Sequence, residues 1–317
     1  MRNRHRRAIG GACTTAVLLL LLAACQRQGA GERAQPAAEP VAAVQAMAAA
    51  MADNDLQRYA DLSVPPTQRV RLEQAWRDGH SRWPLTELPL HDQMLPMLAA
   101  LAADDASARL QASFDRQLAG QAAAVRQAAQ AMGVFGVQYL QHQNTYTASQ
   151  QAHYIQVVTT LADWAAQAPL SDRARARAAI AALTEAARTT GIADDAQLQQ
   201  AGMRDSLARL APFLGTFKAV LARYGLDVDA SLRGIEGQVL SVEGDNALVQ
   251  LSYPLAGERI ELRVPLTRRE GHWYLTRTLA DTDALLRRHD GAAAAPDSSG
   301  NVAPGQPVVT GSPSSAP

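Results

Sequence analysis

The sequence predicts an α+β protein, with a large alanine-rich helical domain followed by a small antiparallel four-stranded meander packed on a helix. Three observations carry that expectation. Apolar residues recur at spacings of three and four from Val41 to Tyr224. After Gly225 the spacing changes to two. Residues 26–40 and 291–317 hold almost nothing large and apolar, which leaves about 250 residues to build a core, enough for one large or two modest domains.

Within the helical part, helices are expected at 41–61, 66–78, 92–102 and 105–140, the last open to a break at Gly120, Gly133 or Gly136. Thr147 to Ala168 is the clearest. Thr147 and Gln150 fit a capping box, Pro169 ends the run, and Tyr154, Ile155, Val158, Leu161, Ala162 and Ala165 form the expected buried side. Ser171 to Thr190 follows, closed by Gly191. Leu207, Leu210, Leu214, Phe217, Leu221 and Tyr224 then make one apolar stripe that stops at Gly225, with a kink or restart expected at Pro212. The abundant alanines allow close helix approach with few aromatics. Ala-Asp-Asp-Ala occurs at 103–106 and at 193–196, explained as well by two helix starts as by duplication.

Four strands are expected after Gly234. Gln238–Val242 is the first. Ala247, Val249, Leu251 and Tyr253 share a face of the second, and Ile260, Leu262, Val264 and Leu266 a face of the third. Trp273–Thr278 closes the sheet, with turns at Glu243-Gly244-Asp245, Ala256-Gly257 and Glu270-Gly271. A short helix, Leu279 to Arg288, ends the ordered part. A sheet with one apolar face needs a partner layer, and the nearest in sequence is the helix carrying Leu207 to Tyr224. Residues 203–290 are therefore read as one module, 41–202 as the helical domain, and 291–317 as a disordered tail. The hairpins Val-Glu-Gly-Asp-Asn-Ala-Leu-Val and Arg-Glu-Gly-His-Trp-Tyr-Leu, together with an amphipathic helix, give residues 203–279 a resemblance to the nuclear-transport-factor-two-like domains of envelope proteins. That group has a longer curved sheet around a cone-shaped pocket, which this stretch does not match.

The N-terminus reads as an export signal over residues 1–24. Arg2, Arg4, Arg6 and Arg7 precede an apolar run from Ala12 through Leu22, too short to span a ~30 Å hydrocarbon core. The run ends in Leu22-Ala23-Ala24-Cys25, which resembles the lipobox of bacterial lipoproteins. The resemblance implies cleavage before Cys25, acylation of that cysteine, and anchorage in a membrane. Gln26 in place of aspartate implies the outer membrane. Two or three acyl chains hold essentially permanently. Residues 25–40 form a tether that sets the folded body roughly 20 Å from the anchor on average.

The chain carries 30 basic and 30 acidic residues, and loss of the signal arginines leaves a mildly acidic product. That argues against nucleic acid as a partner, which needs a basic stripe. The other cysteine, Cys13, lies in the signal, so the mature chain has no internal disulfide. Lys218 is the single lysine among many arginines, a bias read as genomic composition.

No Gly-x-Ser-x-Gly elbow, Ser-x-x-Lys, His-Glu-x-x-His or phosphate loop occurs. His80, His91, His142, His153, His272 and His289 show no metal-ligand spacing, though His142 and His153 flank a turn and could meet. Asp104-Asp105 and Asp194-Asp195 sit at helix starts, where negative charge meets the positive dipole end. Arg173 and Arg177 share a helix face, as a solvated face or a phosphate or headgroup contact. Trp76, His80 and Trp83, in a Pro-rich stretch, either line a site for a sugar or apolar ligand or plug one end of the bundle. No catalytic residue, metal or cofactor is assigned. The expected function is non-enzymatic binding, scaffolding or assembly in the envelope, with the membrane held through Cys25 and an envelope protein as partner. A hydrolase of peptidoglycan or lipid and a carrier of an apolar ligand are the alternatives.

Overall fold

The computed structural model describes residues 39–88, 91–144 and 146–294. The expected signal, Cys25, the expected tether up to residue 38 and the expected tail from residue 295 lie outside them. The described residues form eleven α-helices and one four-stranded antiparallel sheet of order β1-β2-β3-β4. None of these helices is long and apolar enough to cross a membrane.

Helix α1 (Pro40–Ala52) begins with proline at its first turn, where the missing N–H costs nothing. It carries no charged residue, and Val44, Met47, Ala48, Ala50 and Met51 are all buried. A helix apolar all round belongs in a core, and α1 lies between the sheet and helices α2 (Leu56–Ser63) and α10 (Val228–Arg233). The chain turns between α1 and α2 at Asn54, whose φ is 60°, so the single helix expected over 41–61 is two. α3 (Pro66–Arg77) follows, then a 3-10 turn at Leu85–Glu87, α4 (His91–Ala102) and α5 (Ala106–Gln117).

The long helix expected at 105–140 breaks at Gly120 alone, and α6 (Ala122–Gln141) runs unbroken through Gly133 and Gly136. Those glycines serve contact with α7 (Ala148–Gln167). A Cβ on Gly133 would stand 2.5 Å from that of Ala162, and one on Gly136 2.8 Å from Val158 Cγ1. The α7 capping box is present, with Gln150 N–H donating to Thr147 Oγ1 and Thr147 N–H to Gln150 Oε1. α7 has two buried sides rather than one: Val158 and Ala162 meet α6, and His153 meets β3.

α8 (Arg173–Thr190) packs on α4, α5 and α9 (Asp195–Arg223). α9 passes Pro212 without interruption and departs from helical geometry at Gly202. Its buried face is Leu207, Leu210, Phe213 and Val220, while Phe217 of the expected stripe is part-exposed. α10 lies in the stretch expected to be short and polar, and its Val228 and Leu232 are buried.

The sheet comprises β1 (Glu236–Glu243), β2 (Asn246–Leu255), β3 (Glu258–Arg269) and β4 (His272–Leu275). Register pairs Ala247 with Leu266, Val249 with Val264, Leu251 with Leu262 and Tyr253 with Ile260, all buried, so the apolar face is as the alternation predicts. Ala256-Gly257 and Glu270-Gly271 both take positive φ, as two-residue hairpin loops matched to strand twist require. β4 is shorter than expected, and α11 (Thr276–Ala294) starts earlier and runs later than the predicted helix, four residues into the predicted tail.

The expected layer on the sheet is corrected. α9 packs on α2, α3, α8 and α10, and the sheet's main helical neighbours are α1 and α10 on its apolar face, α7 along β3, and α11. The reason is composition: α1 has no polar face to give to water, whereas α9 carries charge around much of its circumference. Gly237 of β1 leaves room for Val41, since a Cβ there would lie 3.0 Å from Val41 Cγ1 and 2.6 Å from Leu251 Cδ2. One core cluster runs from Val44 through Leu207 to Leu266.

The C-terminus of α1 is buried, and its carbonyls need donors. Lys218 of α9 supplies them, donating to Met51 O at 2.7 Å and Ala52 O at 3.0 Å while paired with Asp229 of α10. Burial pushes the Lys218 ammonium below its ordinary value, and the bond to Asp229 resists that shift. Lys218→Met is expected to cost about 1–3 kcal/mol, as buried acceptors lose their partner, read as a drop in urea midpoint. Arg263→Ala on the exposed strand face should stay within about 0.5 kcal/mol. A fragment beginning at Gly202 keeps the whole sheet but lacks α1 and α7. It is expected to show no cooperative transition by circular dichroism; a sharp one would mean that α1 is dispensable.

Candidate functional site

The three residues singled out as a possible ligand cluster do not form one. Trp76, in the last turn of α3, is fully buried, and its indole donates to Leu198 O at 2.8 Å. The Arg82 guanidinium stands 5.3 Å from the Trp76 ring centroid and is held by Asp195 through two bonds of 2.6 and 2.7 Å. Trp83 is also buried and donates to Glu87 Oε1 at 2.9 Å. Both tryptophans therefore fill the core where α3, α9 and the 85–87 turn meet. His80 is outside, exposed, with its ring edge-on to His289 at 5.3 Å. His289 donates to Asp78 at 2.9 Å, and that hydrogen bond holds the Asp78 carboxyl below its usual range.

Beneath Trp83 lies a group that the sequence reading missed. The Glu87 carboxylate accepts from Trp83 Nε1, from the Tyr59 hydroxyl at 3.3 Å, and from the Thr278 side chain. Burial pushes this carboxyl from near 4.5 up to about 7. Asp281 adds to the rise, and the three donors oppose it. The knot joins α2, the 85–87 turn and α11. A glutamate in a proline-rich loop carries no periodic signal; the one available hint was its position four residues after Trp83.

His142 and His153 each have a backbone partner instead of each other. His142 caps α6, with Nδ1 2.7 Å from Gln138 O. His153 is buried on α7 with Nδ1 donating to Glu261 O at 3.1 Å, and burial pushes its ring down to about 4, so it is neutral at pH 7. Beside it Gln156 Oε1 accepts from Glu261 N at 3.1 Å. Together they occupy the edge of β3 that the four-residue β4 leaves open. Of the acidic pairs, Asp194 caps α9 by accepting from Gln197 N, and Asp195 holds Arg82. Arg173 pairs with Asp115. Among the described residues, no group of three or more His, Cys, Asp or Glu is placed to hold a metal ion. A cleft of about 310 Å³ at the foot of the α6–α7 hairpin is lined by Ala122, Val125, Arg126, Ala165, Pro169 and Asp172.

The most distinctive surface is the outer side of α6. This helix rests on α7 through Gly133, Gly136 and Leu140 and turns its other side to solvent. Met132 is 68% exposed, Phe135 63%, Val134 60% and Tyr139 49%. Phe135 and Tyr139 stack at 6.5 Å. Arg126 is the single charge in the twenty residues, and exposed Gln127, Gln130 and Gln138 edge the apolar strip. An aromatic and methionine centre, a polar rim and scarce charge are the composition of a protein interface, and clustered exposed apolar residues mark interaction sites. The sequence places these residues on a helix but not on its outer side.

No protein-family model, no curated protein and no solved structure matches the chain.

The Glu87 knot makes stability depend on pH. Its folded value, about 7, lies above the value near 4.5 of an unfolded glutamate, so its contribution is fully present below about pH 4.5 and is lost as pH rises through 7. Because the residue is part-exposed, the expected loss between pH 5 and pH 8 is about 1–2 kcal/mol. Buried His153 acts in the opposite sense over the same window in both proteins, so the readout is the difference: the urea midpoint of Glu87→Gln should rise relative to the wild type from pH 5 to pH 8, with the variant the more stable at pH 8.

Proposed function

We propose that this is a lipid-anchored protein of the bacterial envelope that works by binding, with the outer face of α6 as its docking surface. The anchor rests on the order of residues 1–26: cationic start, short apolar run, Leu22-Ala23-Ala24-Cys25, then Gln26, which points to the outer membrane. The binding role rests on one observation, the solvent-facing strip of Met132, Phe135 and Tyr139. A tether of fourteen residues between Cys25 and Pro40 sets the folded body roughly 20 Å from the bilayer on average in this reading.

The polar groups with the largest functional promise are engaged in holding the fold. Glu87 ties three elements together, His153 supports the edge of β3, and Lys218 caps α1. This favours binding over hydrolysis as the working reading. It assigns no residue a catalytic role, and Trp76 and Trp83 become packing anchors in place of a ligand shelf.

Cys25→Ser is expected to accumulate as an uncut precursor that takes up no labelled palmitate, against clear labelling of the wild type. Equal labelling of the two would sink the anchor.

A further inference from the structure

We infer that the partner of the α6 face is a second copy of this chain, paired through α6 in antiparallel fashion. The inference rests on the proposal that this face is a docking surface, and it names the occupant. The two halves of the helix differ in bulk. The N-terminal half presents Ala124, Ala128 and Ala131 to solvent, and the C-terminal half presents Met132, Phe135 and Tyr139. A two-fold axis between Ala131 and Met132 sets residue i opposite residue 263 − i. Met132 then meets Ala131, Phe135 meets Ala128, and Tyr139 meets Ala124 of the other copy. One axis position thus seats every bulky side chain of the strip on an alanine, and it does so twice, as an isologous interface requires.

The spacing agrees. Ala128, Met132, Phe135 and Tyr139 follow intervals of four, three and four, the seam of two helices packed near-parallel or antiparallel. Charge agrees as well. Arg126 lies toward the α7 side, where its Nε donates to Ala166 O at 3.3 Å, so no like charges oppose one another across the axis. A parallel pairing lacks this fit, because it would set Phe135 against Phe135 and leave the alanine halves facing each other across a gap. A single helix pair buries less than the ~1,200 Å² of a stable interface. Association is accordingly weak in dilute solution and depends on the local concentration that two copies on one membrane share.

The test uses the full chain in its membrane with a photoreactive phenylalanine analogue at Tyr139. Within one copy, Ala124 is about 22 Å along the helix from that position, so a bond to the segment 117–126 is intermolecular by geometry. The expected product is a dimer on denaturing gels whose cross-link maps to residues 117–126. A dimer cross-linked instead within 134–142 would overturn the antiparallel pairing. Adducts with another protein alone would overturn the second copy while leaving α6 a docking surface, and the absence of any adduct would remove both. As an independent check, Ala128→Phe sets bulk against Phe135 and should cut the dimer yield roughly tenfold, with the helical circular dichroism signal unchanged. Ala128→Ser should keep the yield; an undiminished yield in Ala128→Phe would defeat the proposed register.

Discussion

Burial of α1 between the sheet and the remaining helices is the constraint from which the rest of this structure follows. A thirteen-residue helix without a charge has no side to offer water, so it has to be enclosed. The sheet supplies one wall, through Val249, Leu251 and the other buried residues of β2 and β3. α2 and α10 supply the opposing surfaces. Burial of Val44, Met47 and Met51 gains about 1.5–3 kcal/mol each, but only if the carbonyls at the helix end find donors. Lys218 and Arg233 reach Ala52 O from α9 and α10, and Gln45 reaches Ile235 O. The first helix of the body is thereby built into its last module.

The same logic explains why one helix is left with a bare side. β3 is twelve residues long and β4 only four, so part of the β3 edge would present unpaired backbone groups. α7 answers with His153 and Gln156 on the N–H and C=O of Glu261. Having given one side to the sheet, α7 gives another to α6, drawn close by two glycines. α6 then stands in the outermost layer, and its apolar strip meets solvent. The exposed apolar strip is thus a consequence of how the sheet edge is protected.

Two candidate sites show where reading residues in order reaches its end. Trp76 and Trp83 in a loop admit a ligand shelf or a plug, and nothing in the sequence distinguishes them; their burial and the bonds to Leu198 O and Glu87 decide for packing. Glu87 is invisible beforehand because the burial that raises its pKa is imposed by elements distant in the chain, which also bring Tyr59, 28 residues before it, and Thr278, about 190 after it, into bonds that oppose the rise. The α6 strip is half visible. Met132, Phe135 and Tyr139 stand at helical spacing, and periodicity alone assigns such residues to the inside.

The amino-acid sequence alone determined the class of most segments, though not of α10: helices to Tyr224, four strands after Gly234, the α7 capping box, the Gly191 stop, and the pairing faces of β2 and β3. These are local matters, set by hydrogen-bonding side chains within three residues and by periods of 3.6 and 2. The tertiary structure decided what no local rule contains. It placed α1, and not the helix nearest in sequence, against the sheet. It made Gly133 and Gly136 contacts instead of breaks, turned Lys218 into a cap, and left α6 facing outward. Each of these depends on which surfaces remain uncovered once all the others have been paired. Residues far apart in the chain settle that question together, and the spacing along the chain carries no record of it.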